Sequence, residues 1–153
     1  NGGYNFNIIA DEVILKGTTR SYTEKNRHLI KSRMKSIVSG IEKIYGATIK
    51  LNYEDGYPPV INDEKITKNA IKAAMQIVDN NQVIKPYLSM GGEDFSYFAN
   101  KIPGCFFFLG SCPLNKKPLS IPHHCSHFNI DEKCMLIGSS IFIKIIEDLL
   151  INR

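Results

Sequence analysis

Three of the four histidines in this chain, His123, His124 and His127, fall within five residues of one another and flank Cys125. Imidazole and thiolate are ligands for divalent transition metals, and imidazole also exchanges a proton near neutral pH. These residues close a stretch of about twenty residues, Gly110 to Ile130, with no helical or strand period. A long unstructured segment in a compact domain is either a functional loop or disordered. Prolines and clustered imidazoles favour the functional loop. Any one of the three histidines reads as a surface loop residue; the three together read either that way or as including at least one metal ligand. Cys125 and Cys105 read as apolar thiols rather than ligands.

A second loop lies upstream, Ser89-Met90-Gly91-Gly92-Glu93-Asp94-Phe95. Gly91-Gly92 reads either as a simple turn or as bared backbone whose N–H groups receive a carboxylate or oxyanion. Asp94 precedes a short helical run through Phe98 and reads as its N-cap. Arg20 follows Gly17-Thr18-Thr19. It is either solvated or, in a cleft, a two-pronged clamp for a carboxylate.

The elements that must carry these residues follow from period and punctuation. Residues 11–20 are rich in β-branched side chains and predict a strand, with Tyr4 to Ile9 leading in. Ser21 with Glu24 makes a capping box, and Thr23 competes as N-cap. Ile30, Met34, Ile37, Ile41 and Ile44 then form an apolar stripe on a helix ending at Gly46, a helix that covers a sheet or a partner. Residues 48–54 alternate as a half-exposed strand. A second helix is predicted from Asp63 to Asp79, capped by Asn62. Cys105 to Leu109 predicts a strand buried on both faces, and a final helix from Glu132 to Leu150 should be well buried. The style changes near Tyr57, from a strand–helix–strand piece with one wet face to an α/β piece.

Composition excludes some classes. The 153 residues are 43% hydrophobic and carry a net charge of +4, scattered along the chain. Nucleic-acid binding needs a denser basic patch with aromatic interleaving. No signal peptide and no membrane span is read, since Lys144, Glu147 and Asp148 interrupt the closing apolar segment. Four cysteines without a CxxC pair read as reduced thiols of a cytoplasmic protein. The chain starts at Asn1 in a Gly-Gly pair, which suggests a cut through a larger polypeptide.

Several stretches carry a resemblance. Asn1-Gly2-Gly3, Phe6 to Glu12 and Gly17-Thr18-Thr19-Arg20 resemble the start of the lid domain of the zinc-dependent aminoacylase (amidohydrolase) family. Its members include hippurate hydrolase, N-acyl-amino-acid amidohydrolases, N-acetyldiaminopimelate deacetylase and auxin-conjugate hydrolases. Tyr57 to Asp63 is similar to the return into the catalytic domain, and Ser89 to Phe98 matches the most distinctive block of the family. Pro103 to Gly110 follows, and Pro122-His123-His124 running into Phe128 to Glu132 resembles the closing histidine motif. The resemblance runs in order along the whole chain.

It implies an α/β protein. Residues 1–56 would be part of a ferredoxin-like α+β lid that also dimerises. Residues 57–153 would be the C-terminal part of an α/β zinc-peptidase-like catalytic domain. It implies hydrolysis of the amide bond of N-acyl amino acids by a homodimer with two divalent metals, zinc or manganese or cobalt. His124 takes the position of a metal ligand, and Gly91 and Gly92 that of main chain near the substrate carboxylate. Arg20 takes that of the lid arginine holding this carboxylate, and Asn7 that of a lid asparagine near the site. Relatives often carry Ser-Pro where this chain has Cys125-Ser126-His127. The remaining metal ligands, the general-base glutamate and a lid histidine belong to an N-terminal half absent here, so this chain alone should be inactive. The alternative from another class is a stand-alone zinc-binding or dimerising module, with the 123–127 cluster holding a structural zinc.

Overall fold

The computed structural model describes residues 2–84, 88–113 and 123–150. Contacts divide the chain into two units, residues 1–59 and 60–153.

The first unit is built on α1, Glu24–Tyr45. Thr23 caps it, its side-chain oxygen accepting from Asn26 N at 3.2 Å. Ser21 does not cap; its hydroxyl donates to Thr23 O at 3.1 Å. The helix ends at Gly46, whose φ of 64° places it in the left-handed region that glycine enters without a Cβ clash. The predicted stripe divides. Ile30 and Met34 are half-buried, whereas Ile37, Ile41 and Ile44 are exposed. The division follows from where the returning chain lies. Ile49 N donates to Glu42 Oε1 at 2.8 Å, Lys31 Nζ to Asp55 Oδ2 at 2.6 Å and Arg27 Nη2 to Gly56 O at 2.6 Å. That side of α1 is therefore covered through polar contacts.

The strands expected over 11–20 and 48–54 are not formed. The β pairing of the described residues is an isolated antiparallel bridge, Gly2 with Val13. A strand exists only with a neighbour for its N–H and C=O groups. Here the Ile49 N–H goes to a helix side chain instead.

The second unit holds α2 (Glu64–Ala74), a 3-10 turn (Asn80–Gln82), α3 (Phe95–Ala99) and α4 (Lys133–Leu150). The cap of α2 is Asp63 rather than Asn62: Asp63 Oδ1 accepts from Ile66 N at 2.9 Å. The helix stops at Ala74, short of the expected Asp79, because the next turn tightens to three-residue bonds such as Gln76 N to Ala73 O. Helices α2 and α4 pack together. Ala70, Ala73, Cys134 and Ile141 form the buried core between them.

Residues 104–109 run over this core with alternating contacts. The Phe107 ring lies 5.6 Å from Phe142 of α4, and Leu109 closes on Gly138, where a Cβ would meet its Cδ2 at 2.9 Å. Phe106 faces the other way, 5.8 Å from Phe95 of α3. The alternation expected of a strand is present, but no ladder forms and burial on both faces is not reached, with Phe108 60% exposed. Helix α4 is likewise buried on one side only, at Cys134, Gly138 and Ile141. Ile143 and Ile146 are exposed, and Phe142 is only partly covered by its contact with Phe107. The α/β and ferredoxin-like expectations thus meet an arrangement whose regular elements, among the described residues, are all helices. No helix among them is long and apolar enough to cross a membrane.

Candidate functional site

The glycine loop is organised by its neighbours. Ser89 Oγ accepts from Gly91 N at 3.1 Å, closing a local turn. An anion reaching the Gly91 N–H must therefore displace a hydroxyl. Gly91 and Gly92 are both exposed. Glu93 does the work expected of Asp94: its Oε1 accepts from Phe95 N at 3.2 Å, and its carbonyl accepts from Ser96 Oγ at 2.7 Å. Ser96 is fully buried, so this bond is shielded from water. Asp94 adopts a helical backbone and makes no side-chain cap. Its position immediately before α3 is what suggested the cap.

In the histidine loop the His123 and His124 rings lie edge to face, 6.5 Å between centroids, while His127 has a partner of its own. His123 packs on Phe128 at 4.9 Å between ring centroids, and Ser126 Oγ lies 3.3 Å from His127 Nδ1. A turn bond from Phe128 N to Cys125 O, 3.1 Å, folds the segment back. His124 differs: its φ is 63°, the one positive value at a non-glycine position among the described residues. Holding a Cβ-bearing residue there costs on the order of 1 kcal/mol, and such outliers concentrate at functional positions. Beyond the loop, Asp131 anchors the start of α4. Its N–H donates to Ser111 O at 2.9 Å and its Oδ1 accepts from Lys133 N at 3.0 Å.

The expected pocket residues are divided between the units. Asn7 and Arg20 are exposed in residues 1–59, whereas Gly91, Gly92 and His124 belong to residues 60–153. Among the described residues no group of three His, Cys, Asp or Glu side chains converges to hold a metal. Among the described residues, then, the histidine cluster in sequence does not form a three-ligand cluster in space. Part of the loop, residues 114–122, lies outside the described residues. Cys105, Cys125 and Cys134 are free thiols; Cys105 and Cys125, read as apolar thiols, are only half-buried.

Two shifted ionisations lie away from these loops. The hydrogen bond from Lys31 holds the Asp55 carboxyl below its ordinary value of 3.8, with desolvation opposing and the Lys31 and Arg27 charges assisting. Hydrogen bonds to Asp148 and then Glu147 raise Lys144 above 10.5. Sequence reasoning assigns one residue the wrong partner. Asn62, read as a cap, spends both ends of its side-chain amide on the backbone of Phe106.

Comparison with known proteins gives a consistent picture. The profile of peptidase family M20/M25/M40 matches residues 3–148. Thermostable carboxypeptidase 1 of Saccharolobus solfataricus is 39% identical over 134 residues, 87% of this chain and 33% of that protein. N-acetyl-L-cysteine deacetylase of Bacillus subtilis is 35% identical over 115 residues, 72% of this chain and 26% of that protein. N-acetyldiaminopimelate deacetylase of Lacticaseibacillus paracasei is 32% identical over 149 residues, 96% of this chain and 37% of that protein. The chain therefore spans about a third of the length of such relatives. A crystal structure from methicillin-resistant Staphylococcus aureus, assigned as an aminohydrolase, superposes with a TM-score of 0.59 at 29% identity. It covers 81% of this chain and 31% of that one.

Proposed function

Because the chain belongs to peptidase family M20/M25/M40, a family of hydrolases, we propose that it is the C-terminal portion of a metal-dependent amidohydrolase of N-acyl amino acids. The observation that carries this reading is the match along residues 3–148, together with relatives whose names are deacetylases of N-acetylated amino acids. In it, residues 1–56 are part of a ferredoxin-like, dimerising lid and residues 57–153 the end of an α/β catalytic domain. Strands that find no partner among the described residues would pair with the remainder of the polypeptide. A cytoplasmic enzyme suits the free thiols of Cys105, Cys125 and Cys134.

The reaction is addition of water to an amide carbonyl and release of an amine and a carboxylic acid. Two divalent ions, zinc or manganese or cobalt, belong to this reading, and of the residues here His124 is the ligand. When bound, such ions polarise the carbonyl and lower the pKa of water. The residues of this chain orient the substrate. The Arg20 guanidinium presents a planar fork to the substrate carboxylate. The backbone of Gly91 and Gly92 offers N–H groups to the same charge, and the Asn7 amide supplies a neutral hydrogen bond. The general base lies outside this chain.

The test is His124→Ala in the intact enzyme, assayed on N-acetylated and N-benzoylated amino acids alongside metal analysis. Loss of metal and a fall in rate of at least about 100-fold are expected, since ligand supports alone are worth 10–100-fold. Near-normal rate with full metal content sinks the ligand assignment. Failure of the unaltered enzyme on every N-acyl amino acid sinks the substrate class.

A further inference from the structure

We infer that Asn62 is a positioning residue for the glycine loop, acting through Phe106 and Phe95. Its side-chain amide takes the place of a β-strand partner: Nδ2 donates to Phe106 O at 2.8 Å while Phe106 N donates to Oδ1 at 2.9 Å. Both backbone groups of one residue are thus satisfied by one side chain. The neighbouring main chain adds a third bond, Asp63 N to Gly104 O at 2.8 Å. Residues 62 and 63 therefore grip residues 104–106 as a short ladder does, although no strand is formed there.

The grip is passed on by packing. Phe106 lies 5.8 Å from the Phe95 ring, and Phe95 covers Gly104 so closely that a Cβ there would meet its Cζ at 3.1 Å. Phe95 N is in turn bound by the Glu93 carboxylate, and Ser96 Oγ by the Glu93 carbonyl. Glu93 directly follows Gly91-Gly92. A shift of Phe106 displaces Phe95, and with it the residue that ends the glycine turn. Asp63 separately caps α2. The pair Asn62-Asp63 thus divides two tasks that look identical in sequence.

Only asparagine meets the geometry. Aspartate has the same shape but two acceptors, so it loses the bond to Phe106 O and sets a carboxylate against a carbonyl. Glutamine is one methylene too long. The role in turnover rests on the substrate reading above, whereas the coupling of Asn62 to the loop does not. The experiment separates them.

In the unaltered intact protein, hydrogen exchange should show the Phe106 amide protected. Exchange at its unstructured rate overturns the inference without any variant being needed. Asn62→Asp and Asn62→Ala should then speed exchange at Phe106 and also across residues 91–95. Faster exchange at Phe106 alone overturns the positioning role. On an N-acyl amino acid, both variants should raise KM about 3- to 10-fold with kcat changed less than about 2-fold, because the loop binds the carboxylate without joining the chemistry. A fall in kcat at constant KM, or no kinetic change despite a loosened loop, overturns that part. If the unaltered enzyme cleaves no such substrate, the activity reading has failed while the exchange data still decide whether Asn62 holds the loop.

Discussion

His124 sits where a side chain is disfavoured, at φ 63°, and the strain and the proposed ligand role can be tested separately. Glycine is at home in that region and alanine is not. His124→Gly should therefore be more stable than His124→Ala by about 1 kcal/mol in denaturant unfolding, while both lose metal and activity. Equal stability would show that residue 124 leaves the left-handed region in solution. At Arg20 the expected loss is in binding. Arg20→Ala should raise KM for substrates with a free carboxylate about 10-fold or more, and Arg20→Lys should recover only part of it, since a point charge lacks the planar fork. An unchanged KM places Arg20 outside the pocket. At this scale the sequence disclosed chemical types but not assignments. A short polar residue ahead of a helix reads as a cap, and by that rule Asn62 and Asp94 both qualify. Asp63 and Glu93 take those bonds because their oxygens reach the orphan N–H groups.

Elements were legible where their bonds are local. Helices α1 and α4 come within a residue or so of their expected bounds because helical hydrogen bonds close within four residues, and period and caps report them. The strands were not legible in this sense. Alternation over 48–54 and the apolar run at 105–109 show which side chains can face which way, but a ladder needs a second segment that no local pattern supplies. The cap of α1 gives a direct check: Thr23→Ala removes the acceptor for Asn26 N and should cost about 1 kcal/mol. The grip between α1 and the returning segment is electrostatic and so depends on pH. The Asp55 carboxyl is depressed by the hydrogen bond from Lys31, so its contribution is complete above 3.8, the ordinary value, and is lost as pH falls through the lower folded value. Asp55→Asn should accordingly be less stable than the parent near neutrality, with the difference closing below pH 3.8. Salt should shrink it, because the pair is exposed. A difference independent of pH would assign the grip to packing rather than charge.

Across the whole molecule the balance of apolar surface is unusual. The buried apolar core of the described residues is Ala70, Ala73, Cys134 and Ile141, while Ile37 and Ile44 of α1 and Phe142, Ile143 and Ile146 of α4 stand 60, 74, 58, 59 and 54% exposed. A core of two alanines, a cysteine and one isoleucine recovers little of the conformational entropy that ordering the chain removes. Contiguous exposed apolar faces and unpaired backbone edges are what drive association. The proposed function explains this imbalance, because both faces would be covered within a polypeptide about three times as long, the length relation seen with the relatives. Expressed alone, the chain should hydrolyse no N-acyl amino acid, bind a hydrophobic dye and sediment as concentration-dependent oligomers. Ile143→Lys with Ile146→Lys should reduce that association in the isolated chain, yet impair folding of the intact enzyme, where the proposed function would make the same face interior. Both halves must hold. An isolated chain that is monomeric, dye-negative and cooperatively folded would show that these faces are native surface, and the stand-alone module would replace the amidohydrolase portion as the reading to pursue.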